Sequence, residues 1–228
     1  MQVHDDWLLT AQRAAIHVPT ATAVIADLHL GYDDVRRATG EAVPASDLRG
    51  CLAPIAVLVA QHGVRRLVIA GDVCEDARRE APLQELHAEL TRLGIELAGI
   101  VPGNHDRTLA SEQLVREGVL LGEWRIVHGD RRVARGPSVQ GHLHPCLRWE
   151  GVSAPCFLVG ARRLVLPAFS GDAAGVNVVS WRKWDAYRCG VIVGERVLDF
   201  GMLRGLKSRL AASRRRAWDT RSLPTGGQ

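Results

Sequence analysis

Cysteine is scarce and badly spaced for a scaffold. The five cysteines, at 51, 74, 146, 156 and 189, form an odd set with no C-x-x-C pair. That excludes a disulfide framework and a thiolate zinc site, and leaves free thiols in a reducing compartment. Long apolar runs are missing too. The longest, residues 52–60, is too short to cross a bilayer and contains Pro54. Asp5 and Asp6 stand where an export leader would carry positive charge. The expectation is a soluble, cytoplasmic protein with no membrane partner. Aromatic residues make up only 5%, so few side chains are free to stack on bases. Broad positive charge is also absent from the body. Residues 201–228 hold seven Lys or Arg and one acid, so a net charge of +4 leaves residues 1–200 at −2. A nucleic-acid partner would therefore be met by local patches or by the tail.

With 46% hydrophobic and 24% charged residues, the chain has the composition of a folded globular protein rather than a disordered one. Residues 1–200 are expected to form one domain. Residues 201–228 read as a basic extension, with a helix over 202–218 bearing Met202, Leu206 and Leu210 on one side, and a disordered end from Leu223 to Gln228. Within the body, short apolar strands at 23–26, 67–70 and 95–101 alternate with helices over 46–62 and 82–92. Gly63 and Gly94 stand as stop signals. After residue 119 the pattern becomes consecutive strands, at 124–128, 138–142, 162–166, 188–193 and 196–200. Alternation followed by strands predicts packed sheets with helices outside.

Chemistry-bearing residues gather at the strand ends. Asp27 and His29, in Ala-Asp-Leu-His-Leu-Gly, are two apart, so an extended segment would aim both the same way while Leu28 and Leu30 pack behind. Asp72 follows Gly71 directly after the next strand, where ligands collect in open α/β sheets. Gly103-Asn104-His105-Asp106 follows the third. Asn104 offers a neutral oxygen ligand, His105 a group that exchanges a proton near neutral pH, and Asp106 a carboxylate able to hold an imidazole in one tautomer. Asn104 or Asp106 alternatively caps a helix starting near Arg107. His128-Gly129 and Gly141-His142-Leu143-His144 complete the set, with His142 and His144 again two apart. Each motif alone is weak; five in one chain point to a metal centre.

These motifs, in this order over residues 27–144, resemble those of the calcineurin-like metallophosphoesterase superfamily. The resemblance implies an α/β (α+β) fold, a four-layer αββα sandwich of two mixed β-sheets flanked by helices. It implies two divalent metal ions. Asp27, His29 and His144 would hold one, and Asn104, His128 and His142 the other, with Asp72 bridging. His105 would act on the substrate, with Asp106 orienting it. A narrower resemblance, to the bacterial DNA ligase-associated metallophosphoesterases, covers residues 9–31 and 141–170, with "VIADLHLGY", "GHLHPCLRWEG" and "APCFLVGARRLVLPAFS". It implies manganese-dependent cleavage of single-stranded DNA in repair, with a DNA helicase and a DNA ligase as partners. The chain departs from that subgroup at Val73-Cys74-Glu75-Asp76, where an aromatic and a histidine are expected, and at Gly129-Asp130, where a second histidine is.

The nitrogen and oxygen ligands suit manganese, iron, cobalt or zinc. Hydrolysis at phosphorus would use a metal-activated water, with His105 protonating the departing oxygen. Arg107 and Arg148, with Asn104, are the candidate substrate contacts. Arg131, Arg132, Arg162 and Arg163 could meet further phosphates, and Tyr32, Trp149 and Phe157 could stack bases. The same chemistry on a cyclic nucleotide or nucleotide pyrophosphate is the alternative substrate. A non-catalytic scaffold of the same fold is disfavoured, because His105 and all seven ligands are present.

Overall fold

The computed structural model of the chain describes residues 1–45, 47–76, 80–131, 135–171 and 173–221, with side chains through residue 213. The apolar strands expected in the first half pair with one another. β1 (Gln2–Val3), β2 (Trp7–Leu9), β3 (Ala15–His17) and β4 (Thr22–Ile25) form an antiparallel run. β5 (Arg66–Ala70) and β6 (Glu96–Val101) then add in parallel, which closes a six-stranded sheet. Parallel pairing needs crossovers, and helices supply them. They are α1 (Tyr32–Ala38) and α2 (Leu48–His62) before β5, and α3 (Ala81–Leu93) before β6. Asp47 caps α2 by accepting from the Gly50 N–H at 2.9 Å, and α2 and α3 end at Gly63 and Gly94, the stop signals of the sequence.

The second half builds a nine-stranded mixed sheet. Its main path runs through β13 (Val176–Asn177), β10 (Pro145–Trp149), β11 (Val152–Gly160), β12 (Arg163–Val165), β9 (Ser138–Gln140), β8 (Trp124–Val127) and β7 (Val119–Leu121). β14 (Arg188–Val193) also pairs with β11, and β15 (Arg196–Met202) pairs with β14.

Side chains alternate across both sheets. On β5, Leu67 and Ile69 face α2 and α3, whereas Val68 and Ala70 face the other sheet. On β11, Phe157 and Val159 meet that middle core, and Cys156 and Leu158 enter a third. The third core is covered by the start of α4 (Leu203–Arg221), through Leu203 and Leu206. The layers are thus helix, sheet, sheet and helix, as expected.

Several details differ from the expectation. Met202 ends β15 and is 46% exposed; Leu203 is buried in its place, one residue further along. No helix begins near Arg107, because residues 107 and 108 form only a turn. Residues 223–228 and Arg132 lie outside the described residues. No helix among the described residues is long and apolar enough to cross a membrane.

Candidate metal centre

Every motif follows the carboxyl end of a parallel strand. The segments after β4, β5 and β6 in one sheet meet those after β8 and β9 in the other. Cross-links fix this meeting. The His142 N–H donates to Asp27 Oδ2 at 2.8 Å, and the Gly141 N–H donates to the His128 carbonyl at 3.0 Å. Within the first sheet, the Asp27 N–H donates to Gly71 O at 3.0 Å and the His29 N–H to Asp72 O at 2.9 Å.

The paired residues do share a face, but not by being extended. Asp27, His29, Asp72, His142 and His144 all have positive φ, between 41° and 68°. Each such non-glycine residue costs about 1–3 kcal/mol and survives only where its surroundings hold it. Asp and His tolerate this region better than most residues. The left-handed steps turn the side chains of Asp27 and His29 inward while Leu28 and Leu30 stay in the helix-side core. Two glycines permit the close packing. A Cβ on Gly71 would overlap the His128 ring, and one on Gly103 would overlap the Asp72 carboxylate.

Two groups of possible ligands result. Asp27, His29 and His144 bring donor atoms together in one, and Asp72, His128 and His142 do so in the other. A third overlapping group is His29, Asp72 and His105, so Asp72 stands between both sides. Asn104 joins the second group, its Oδ1 3.2 Å from His128 Nε2. Asp27 is wholly buried and Asp72 nearly so.

The polar atoms fit a cation. Asp27 Oδ1, His29 Nε2 and His144 Nε2 are buried with no hydrogen-bond partner, a costly state unless something positive meets them. His128 Nδ1 faces the Ala70 carbonyl at 3.0 Å, so it carries the proton and leaves a lone pair on Nε2. That lone pair faces Asp72 Oδ2 at 3.4 Å and His142 Nδ1 at 3.1 Å. His29 repeats the pattern, with Nδ1 2.9 Å from Glu75 Oε2 and Nε2 turned inward. A ring N–H held by a carbonyl or carboxylate is the usual backing of a metal-binding imidazole.

Burial and the nearby charges shift the two paired histidines in opposite directions. Burial, then the nearby His128, lowers the pKa of His142, although Asp27 and Asp72 pull the other way; the neutral ring is the ligating form. For His144, burial lowers the pKa, but the Asp27 carboxylate outweighs it and the net shift is upward. The Cys74 thiol, in the loop after Asp72, is pushed up to about 12 by burial, then by Asp106 and Asp76. It stays protonated at neutral pH and offers no thiolate. None of the five cysteines is in a disulfide.

Asp106 does not hold the His105 ring. Its Oδ1 accepts from the Val73 N–H at 3.0 Å and its Oδ2 from the Gly103 N–H at 2.9 Å, which ties the two loops together. Glu75 lies by His105 instead, with Oε1 3.5 Å from Nδ1. Sequence reasoning missed Glu75, because it stands outside the five motifs. His105 is partly exposed at the mouth of the site, edge-on to His29 at 5.2 Å. Its own N–H donates to Asp72 Oδ1 at 2.9 Å.

The other candidate contacts scatter. Arg107 and Arg131 line a cavity beside His128. Arg148 sits exposed on β10, Arg162 on the turn between β11 and β12, and Arg163 at the start of β12. Phe157 is fully buried between the sheets and cannot stack a base. Tyr32 opens α1 beneath the Arg36 guanidinium, 5.5 Å from the ring centroid.

The fold is similar to that of a solved nuclease, the MPE nuclease of Pseudomonas putida. The TM-score is 0.70 at 23% identity, and the match covers 87% of this chain and 98% of that one. No family model matches the sequence, and no curated protein matches it.

Proposed function

We propose that the chain is a binuclear-metal phosphodiesterase acting on nucleic acid, a manganese-dependent single-stranded DNA endonuclease of the DNA ligase-associated metallophosphoesterase type. The observation that carries this reading is the pair of ligand groups around Asp72, with three buried donor atoms left without partners. Asp27, His29 and His144 would hold one ion and Asn104, His128 and His142 the other, with Asp72 shared. The all-oxygen-and-nitrogen donor set suits manganese, iron, zinc or cobalt. When bound, the ions lower the pKa of a coordinated water and offset charge on the phosphoryl oxygens.

The protein's own groups do the rest. Asp27 and Asp72 supply fixed negative charge that draws the cations in. His128 and His29, each held by its second ring nitrogen, cannot rotate away. His105 stands at the mouth, where it can hand a proton to a departing oxygen. Asp106 ties the loop after β5 to the loop that carries His105. The likeness in fold to a nuclease supports nucleic acid as the substrate class.

The test is an activity panel with manganese on the purified chain. It compares single-stranded DNA, duplex DNA, RNA, a cyclic nucleotide and an aryl phosphodiester. The reading expects cleavage of single-stranded DNA at internal positions, together with the aryl diester. Turnover of the cyclic nucleotide alone would shift the assignment to small nucleotides, and no turnover on any substrate would return the chain to a scaffold.

A further inference from the structure

A cavity of about 450 Å³ opens beside the metal centre, on the His128 side. Gly103 and His128 are among its lining residues, so it borders the second ligand group. Four of its lining residues are arginines, at 107, 116, 125 and 131, against two acids, Glu117 and Asp130. The sequence had pointed to Arg107 and Arg131. Arg116 and Arg125 lie between the motifs and carried no signal; only the fold of β8 and the segment before β7 brings them to the same wall.

The arginines are only weakly engaged by protein. Arg125 is half-buried and donates through Nη1 to the Glu117 carbonyl at 2.9 Å, which points it along the wall without neutralising it. The Arg131 Nε lies 3.6 Å from Asp130 Oδ2, an exposed pair of little energetic weight. Arg107 and Arg116 are exposed. The four charges come from separate segments, after β6, before β7, on β8 and after β8. No aromatic side chain is among its described lining residues, so no base-stacking platform is provided there. That combination suits a ligand whose negative charge repeats along its length and whose backbone is gripped while its bases are not.

We propose that this cavity is a strand-binding groove. It holds the sugar–phosphate backbone of a nucleic-acid strand flanking the phosphate that sits at the metal centre, without reading sequence. The proposal rests on the phosphodiesterase reading and extends it by assigning the path of the substrate. A small nucleotide carries too few phosphates to engage all four arginines.

The test is the salt dependence of binding. Fluorescence anisotropy of a labelled single-stranded oligonucleotide is measured in EDTA, across a range of sodium chloride, for the wild-type chain, Arg116→Ala/Arg131→Ala and Arg162→Ala/Arg163→Ala. The third protein loses the same charge from a surface outside the groove, and the basic C-terminal residues are present in all three. The log–log slope of the groove variant should become shallower by about 0.7 for each lost phosphate contact, and the other variant should keep the wild-type slope. An unchanged slope in the groove variant, an equal loss in both variants or no binding by the wild type would overturn the groove. Wild-type hydrolysis of bis(4-nitrophenyl) phosphate with manganese, run alongside, judges the underlying reading by itself. Hydrolysis with an unchanged slope removes the groove alone. A shallower slope without hydrolysis removes the phosphodiesterase reading and leaves the groove as a binding surface.

Discussion

Glu75 lies against two histidines, His29 and His105. Through one oxygen it fixes the His29 ring, and the other approaches His105. Loss of a carboxylate that backs a metal-binding imidazole costs about 10–100-fold in metal affinity or activity. Glu75→Ala should therefore weaken manganese binding, read by isothermal titration, and lower turnover. Glu75→Gln keeps an oxygen for the His29 N–H and should recover much of the affinity. Unweakened manganese binding in Glu75→Ala would deny it this positioning role. His105→Ala should behave differently. It should keep both ions but lose about 10²–10⁴-fold in turnover on substrates with poor leaving groups, with a far smaller loss on a nitrophenyl ester, whose leaving group needs no proton. Equal losses on both substrates would contradict the proton-donor assignment. Most of these residues were legible in the sequence, because histidines, Asp and Asn stand at strand ends in recognisable motifs. Glu75 was not, since its contacts arise only when the loop after β5 folds against the loop after β4. The role of Asp106 was misread for the same reason. Adjacency to His105 in sequence suggested contact with that ring, but the backbone N–H groups of Val73 and Gly103 claim both its oxygens.

The segment after β12 shows how one element steadies another. Phe169 and Ser170 donate their N–H groups to the carbonyls of Ala26 and Asp27, at 2.7 and 3.2 Å. Arg13, beyond β2, donates through Nη1 to the carbonyls of Ala168, Phe169 and Ser170. Arg13 thereby holds the loop that holds Asp27 in its left-handed conformation. Hydrogen bonds from a charged donor are worth about 1.5–3 kcal/mol each, and these share one nitrogen in a partly buried place, so a loss near the lower figure is expected. Arg13→Ala should lower the urea midpoint of unfolding and weaken manganese binding together. A variant that lost stability but bound manganese as before would break the link to Asp27. At this scale the sequence was legible where one signal dominated. β5 is a short apolar run and α2 ends at Gly63, and both formed within two residues of expectation. β11 was missed although it is the longest strand, at nine residues. Pro155 interrupts its apolar pattern, and proline argues against a strand interior. The first three strands were missed because each is only two or three residues long.

Across the whole molecule, the two sheets must meet for the centre to exist. Asp27, His29, Asp72 and Asn104 come from the first sheet, and His128, His142 and His144 from the second. A ligand that binds only when they meet must stabilise the fold, by about 2.7 kcal/mol at a concentration 100 times its dissociation constant. Melting temperature should accordingly rise with manganese and fall with EDTA. A melting temperature indifferent to manganese would place the ions outside the folded core. The layered architecture was readable from the order of helices and strands. The arginine-lined cavity was not, because its wall joins residues from separate segments whose meeting depends on the sheet edge. The most direct test of the account is the number of manganese ions bound per chain, measured by atomic absorption after dialysis, in the wild-type protein and in Asp72→Ala. The account predicts two ions in the wild type and an emptied site in the variant. A wild-type chain that retains none, or an Asp72→Ala chain that retains both, would contradict it.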